Sequence, residues 1–237
     1  MSTRSILFLA LIEILAFVLS SCHENEDPGP LRYAERPFAV VDFDRIEVGD
    51  AMFVTVRQGP LFSVAASGDG RNLDDLVVQK LGSTLMIRFD RNNNRRHTTS
   101  IDISLPSLRS AIFSGATVST IAGFTEVEPF FLGLSGASTA QLNVEASSLE
   151  VSASGASNLT LSGTSAVLDA DLSSASLLKA YTMDVENAKV SASGASHAYV
   201  NVMLTLDAIA SGASSILYRG DAIVNSSTSG ASAIIKD

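Results

Sequence analysis

Ser135-Gly136-Ala137-Ser138 returns as Ser154-Gly155-Ala156-Ser157, Ser193-Gly194-Ala195-Ser196, Ser211-Gly212-Ala213-Ser214 and Ser229-Gly230-Ala231-Ser232. Ser114-Gly115-Ala116-Thr117 opens the series, and Ser173-Ser174-Ala175-Ser176 fills its one gap with serine in place of glycine. The central positions Gly115, Gly136, Gly155, Ser174, Gly194, Gly212 and Gly230 lie 21, 19, 19, 20, 18 and 18 residues apart. A period in this range marks an architecture of stacked repeats.

Working outward from each central residue shows what one repeat builds. Six residues before it stand Phe130, Leu149, Leu168, Ala188, Leu206 and Val224. Four before it stand Ala111, Leu132, Val151, Ala170, Val190 and Ala208, and two before it Phe113, Leu134, Ala153, Leu172, Ala192 and Ala210. Between them lie Glu150, Asp169, Lys189, Asp207 and Asn225. Apolar residues at every second position define a strand with one buried face. The alternation resumes after the motif, with Ile121, Leu142, Leu161 and Val200 six residues on. Each repeat therefore predicts strand, corner, strand and a less regular third side.

One coil of this kind cannot bury its own apolar face, so coils must stack, with each strand bonding the copies above and below in parallel. The expected fold is an all-β, single-stranded parallel β-helix with coils of about 18–21 residues. Inward residues alternate instead of recurring every six, which disfavours a left-handed hexapeptide helix and leaves a right-handed coil as the expectation. The motif glycine marks a bend needing an unusual φ or a close backbone approach, with the neighbouring alanine small enough for a tight corner.

The chain has 237 residues, and 46% hydrophobic content is enough for one large core. Aromatic residues make up 6% and tryptophan is absent, as suits a narrow interior of Ala, Val and Leu. The net charge of −9 is spread along the chain and offers no basic patch, which argues against a nucleic-acid partner.

Residues 1–22 resemble a lipoprotein signal peptide. Arg4 gives the positive start, Ile6 to Val18 the apolar stretch, and Leu19-Ser20-Ser21-Cys22 is similar to a lipobox, although Glu13 departs from the pattern. The apolar stretch is too short for a permanent span. Cys22 is the single cysteine, so it is expected to carry a lipid that tethers the protein to a membrane, and no internal disulfide is possible. Residues 23–37, with the acidic run Glu24 to Asp27 and then Pro28-Gly29-Pro30, read as a flexible linker. The acidic run also resembles an export signal to the outer surface of Gram-negative cells. The expected location is therefore the outer membrane, facing the periplasm or the exterior.

The domain is expected over 38–237, with opening and capping coils over 38–110 and the repeats over 111–237. Strands are predicted around Phe62–Ala66, Leu76–Gln79, Leu85–Phe89 and Ile101–Leu105, with turns at Gly59-Pro60, Gly68-Asp69-Gly70 and Gly82-Ser83. Asp90–Thr99, with Arg91, Arg95, Arg96 and His97, reads as a basic hairpin tip. The end at Ile234 to Asp237 is the natural place for fraying or end-to-end self-association.

The stretches Phe43-Asp44-Arg45-Ile46-Glu47-Val48, Val54-Thr55-Val56-Arg57-Gln58-Gly59, Leu85-Met86-Ile87 and Ile103-Ser104-Leu105-Pro106-Ser107-Leu108 precede the Ser-Gly-Ala series. In that order they resemble the auto-transporter adhesin head GIN domain family of bacterial envelope proteins. The resemblance covers about residues 38–237. It implies a β-helix-like fold in a secreted or lipid-anchored protein and brings no catalytic residues to transfer. Two departures are the lack of a translocator region and the serine at 174.

No catalytic constellation stands out. His23, His97 and His197 have no metal-ligand spacing, and neither a Gly-x-Ser-x-Gly nor a phosphate loop appears. The expectation is a non-enzyme without cofactor or metal, adhesin-like or a scaffold, whose partners are the membrane and a glycan or another envelope protein. The alternatives are a β-helix polysaccharide lyase or glycosidase and a periplasmic sensor or accessory protein. An enzyme would use the column Glu150, Asp169, Lys189 and Asp207 or the pair Asp184 and Glu186, where carboxylates one coil apart stand about 5 Å from each other. A solvated outer face explains the same column. Tyr181 and Tyr199 are read as outward-facing, with Tyr218 close, and could hold sugar rings or shield a coil edge.

Overall fold

The computed structural model describes residues 29–91 and 95–237. From Leu31 on, apart from residues 93–96, these form one compact unit. The first half contributes β1 (Tyr33–Phe38), β2 (Arg45–Val48), β3 (Phe53–Gln58), β4 (Ser63–Asp69), the short helix α1 (Gly70–Asp74), β5 (Leu76–Leu81), β6 (Thr84–Phe89) and β7 (Thr99–Leu105). The coils proper follow with β8 (Ser110–Phe113), β9 (Val118–Val127), β10 (Phe130–Leu134), β11 (Thr139–Ala153) and β12 (Asn158–Leu172). They continue through β13 (Leu177–Ala192), β14 (His197–Ala210), β15 (Ser215–Arg219), β16 (Ile223–Thr228) and β17 (Ala233–Lys236). All belong to one 17-stranded sheet wound into a solenoid.

The register is the one the repeats predict. Phe130 pairs with Leu149, Leu149 with Leu168, Leu168 with Ala188, Ala188 with Leu206 and Leu206 with Val224, one residue from each coil. The first five are buried and Val224, in the last coil, is partly so. Each buried Leu or Val in such a file stabilises by roughly 1.5–3 kcal/mol, against the entropy of ordering the chain. β11, β12 and β13 run unbroken as strands from one corner to the next, but alternation falters near Ala146 to Ser148 and its equivalents, and the register between coils also slips past Thr160 and past Ala180.

Corners stack by a single repeated bond. The Ala156 N–H donates to Gly136 O at 2.7 Å, Ala175 to Gly155 O at 2.8 Å, Ala195 to Ser174 O at 2.6 Å, Ala213 to Gly194 O at 2.7 Å and Ala231 to Gly212 O at 2.8 Å. The central residue holds φ near +70°, for example +76° at Gly155, where a Cβ would strike Gly136 O. The last serine of each motif turns inward and closes the bend. Ser138, Ser157, Ser176 and Ser196 are fully buried, and each hydroxyl donates to the carbonyl three residues back at 2.7–2.8 Å.

The capping half departs from the expected reading in four ways. Tyr33–Phe38 is not linker but strand, antiparallel to β4, because Ala34 and Phe38 find apolar partners in the core. Gly68-Asp69-Gly70 is not a turn: Gly68 lies in β4, and Asp69 caps α1. Asp90–Thr99 is not a hairpin tip, since β6 and β7 pair with β2 and β3 and not with each other. Its centre lies outside the described residues. Finally, coil order is not chain order. The rung of β6 and β7 lies beneath that of β2 and β3, which in turn meets β8 and β9. The antiparallel strands β4 and β5 then cover that lowest rung.

A buried carboxylate ties the cap together. Asp69, 1% exposed, accepts from Arg71 N at 3.0 Å, Arg71 Nε at 2.8 Å, Arg71 Nη2 at 2.7 Å and Arg32 N at 3.1 Å. The Arg71 side chain is the main reason its carboxyl titrates well below the ordinary 3.8, outweighing the opposing effect of burial. Arg91 holds Asp75 at 2.7 Å, and Asn72 Nδ2 donates to His97 O at 2.9 Å.

Two outcomes test these features. Gly155→Leu forces a side chain onto Gly136 O and should cost about 3 kcal/mol or more, strain and overpacking together. Ser174→Gly relieves a serine at φ +64° and should raise stability by about 1 kcal/mol. Urea denaturation midpoints measure both, and a smaller loss at Gly155 than for Ser174→Leu would contradict the corner geometry. For Asp69, a lowered folded pKa contributes stability present above the ordinary value and lost as pH falls below it. The melting-temperature gap between the wild type and Asp69→Asn should therefore stay level above about pH 5 and close below about pH 4.

Candidate binding surfaces

The outward walls of the coils are laced from one coil to the next. Asn143 Nδ2 donates to Ser162 Oγ at 2.9 Å, Asn201 Nδ2 to Asp184 Oδ1 at 2.8 Å and Thr205 Oγ1 to Asn187 Oδ1 at 2.7 Å. Asn225 Nδ2 reaches Asp207 Oδ1 at 3.2 Å. In the acidic column, Glu150 is in register with Asp169, Asp169 with Lys189 and Lys189 with Asp207. Lys189 Nζ bridges to Asp169 at 3.4 Å. These carboxylates thus stand in a file along a wall and share neighbours by stacking, and none of them lines the clefts described below. Among the described residues, no group of three or more His, Cys, Asp and Glu side chains is arranged to hold a metal.

The tyrosines separate. Tyr181 and Tyr199 meet edge to face at 5.5 Å between ring centroids. The Arg219 guanidinium covers Tyr181 at 4.0 Å from its centroid and bonds Asp237 through Nε at 2.9 Å and Nη2 at 2.6 Å. Such a cation–π contact is worth about 0.5–1 kcal/mol near the surface. Tyr218 is in register with buried Val200 and packs inward on the core, so it is not an outward partner of the other two. The pair therefore shields a coil edge more than it offers stacked faces for a sugar. Burial, and after it the neighbouring Asp237 carboxylate, pushes the Tyr181 phenol up to about 12, although its hydroxyl has no partner in hydrogen-bond geometry. His197 Nδ1 meets Ser215 Oγ at 2.7 Å. Cys22 and His23 lie outside the described residues.

Sequence reasoning missed the clefts around Gln58. This side chain donates from Nε2 to Pro106 O at 3.1 Å and accepts from Thr125 N at 3.3 Å, joining segments far apart in the chain. Beside it opens a cleft of about 340 Å³ with Leu108, Phe124 and Val127 as its apolar lining, and Arg109, Thr125 and Glu128 as polar neighbours. Arg109 Nε pairs with Asp44 at 3.4 Å. A second cleft of about 360 Å³ lies against Gly59, Pro60, Pro106 and Gly123. The turn residues at 59–60 and 106–107 were the available signal. Their convergence was hidden because β3 sits between β7 and β9, out of chain order.

The sequence pattern described as "putative auto-transporter adhesin, head GIN domain" matches residues 42–222. Comparison with curated proteins gives no match. Among solved structures, a putative adhesin from Bacteroides fragilis superposes with TM-score 0.78 at 19% identity, over 87% of this chain and 97% of its own. A putative adhesin from Parabacteroides distasonis gives TM-score 0.67 at 18% identity, over 88% of this chain and 98% of its own. A putative lipid binding protein from the same species gives 0.66 at 21%, over 86% and 96%. At these identities the likeness is one of fold. Among the described residues no helix is long and apolar enough to cross a membrane.

A phenolate absorbance titration checks the coil-edge assignment. One of the four tyrosines should titrate last, near 12, and Tyr181→Phe should remove that step. Loss of an earlier step instead would mean that the ring is solvated.

Proposed function

The chain belongs to the auto-transporter adhesin head GIN domain family, and from that premise we propose that it is a lipid-anchored, non-enzymatic binding protein of the bacterial cell envelope. The observation that carries this reading is the commitment of the outer walls to coil-to-coil ladders, which supports a stiff post over a catalytic groove. A stiff post attached at Cys22 displays a surface at a distance from the membrane, as an adhesin or a scaffold requires. The proposed location is the outer membrane, and the proposed partners are a glycan or another envelope protein.

The Gln58 cleft supports a second reading, in which the base of the post takes a small apolar ligand. Its lining of Leu108, Phe124 and Val127 suits such a ligand, and one neighbour of the same fold is called a putative lipid binding protein. The polysaccharide-cleaving alternative draws on Glu150, Asp169 and Asp207 or on Asp184 and Glu186, and of these Asp169 is bridged by Lys189 while Asp184 and Asp207 accept from Asn201 and Asn225.

Cys22→Ser should move the protein out of the lipid-modified pool. Metabolic labelling with a palmitate analogue should mark the wild type and leave the variant unlabelled. Equal labelling of both would remove the anchor from this proposal.

A further inference from the structure

The lowest coils carry three exposed aliphatic side chains on three separate segments. Leu61 is 76% exposed, Leu81 56% and Val41 52%. They sit on a fixed platform. The rings of Phe43 and Phe62 meet at 5.1 Å, bringing the segment of Leu61 to that of Val41. Lys80 Nζ donates to Asp42 O at 3.1 Å and Asp44 N to Ser83 O at 3.1 Å, which brings the β5–β6 turn, and Leu81 with it, alongside. Water-exposed Val41, Leu61 and Leu81, on connections and a strand end braced by the buried Phe43 and the half-buried Phe62, form a contact surface and not a loosely packed core.

We infer that this base patch seats on the bilayer surface, so that the post stands on its capped end. The inference rests on the lipid anchor proposed above. The chain enters the fold at Tyr33, and β1 runs beside β4 on the cap that covers the lowest rung. Ten residues lie between Cys22 and Tyr33, so a taut chain of eleven steps reaches at most about 40 Å. An anchored protein therefore keeps its capped end within that distance of the lipid, whereas the tether sets no such bound on the coil of Ile223. Tethering makes docking effectively intramolecular, and a patch too small to bind lipid from solution can then stay seated. Aliphatic tips with a lysine at their rim suit insertion at the headgroup level, where Lys80 keeps its ammonium in water. A second copy of the chain or a protein partner could cover the same patch, and the test separates these.

The chain has no tryptophan, so one introduced indole reports alone. The full chain, purified with its anchor, would be reconstituted into phosphatidylethanolamine–phosphatidylglycerol vesicles with brominated acyl chains. Leu61→Trp and Leu81→Trp are the reporters, and Ile223→Trp, at a position 80% exposed, is the distal control. Bromine should quench the two base reporters several-fold more than the control. Equal quenching at base and distal positions in protein that floats with the vesicles overturns the orientation while leaving the anchor standing. Protein that does not float removes the anchor and this inference together. An emission blue shift of the Leu61→Trp variant that grows with protein concentration in detergent, without bromine quenching in vesicles, would assign the patch to a second copy or protein partner instead.

Discussion

The contact on which everything else rests is the stacking of one corner on the next. At five successive corners, from Ala156 to Ala231, an alanine N–H reaches down to the carbonyl of the residue at the bend below, at 2.6–2.8 Å. That approach crowds a Cβ against the carbonyl below, and this together with the positive φ is why glycine recurs at the bend. Fixing the corner fixes the register of both strands leaving it, since a slip of one residue would turn every inward side chain to solvent. The hydrophobic files are thus a consequence of the corner as much as a cause of the fold. Ser174 shows the tolerance of the device: the backbone keeps φ +64° there, and Ala195 still bonds to its carbonyl at 2.6 Å.

The repeats were legible because each inward file is sampled many times, so single irregularities do not hide the pattern. The same rule places Tyr218: it lies six residues after Gly212, as Val200 lies six after Gly194, and both point inward. Its position in the period decides its direction, and its aromatic chemistry does not. The cap was not legible for a different reason. Its strands have ordinary alternation, but nothing local states that β6 and β7 pass beneath β2 and β3. Asp69 likewise reads as a turn residue in Gly68-Asp69-Gly70. Its role depends on Arg32, 37 residues away, as well as on its near neighbour Arg71.

The stacking that makes the coils stable also limits what their walls can do. Parallel strands place equivalent side chains about 4.8 Å apart in straight files, and such files satisfy one another, as Asn143 does with Ser162 and Asn225 with Asp207. A catalytic pair needs convergence from different directions onto one atom, usually from a loop that leaves the coil. Coil steps of 18 to 21 residues leave little chain for such loops. The acidic column is therefore what a solvated wall looks like when the period repeats its outward residues.

The period slips between β12 and β13 and between β13 and β14, but it fails most at the base. There the coil order inverts, the connections 39–44, 59–62 and 106–109 leave the regular path, and β9 slips its register on β11 past Ile121. The Gln58 clefts and the aliphatic tips of Val41, Leu61 and Leu81 lie on these irregular stretches or beside them. An evolving solenoid can add or drop a regular coil at little cost, because each coil sees only its neighbours. It cannot as easily alter the base, where Asp69, Gln58 and the Phe43–Phe62 pair join segments remote in sequence. The coils set the length of the solenoid, and the base is where segments remote in sequence converge.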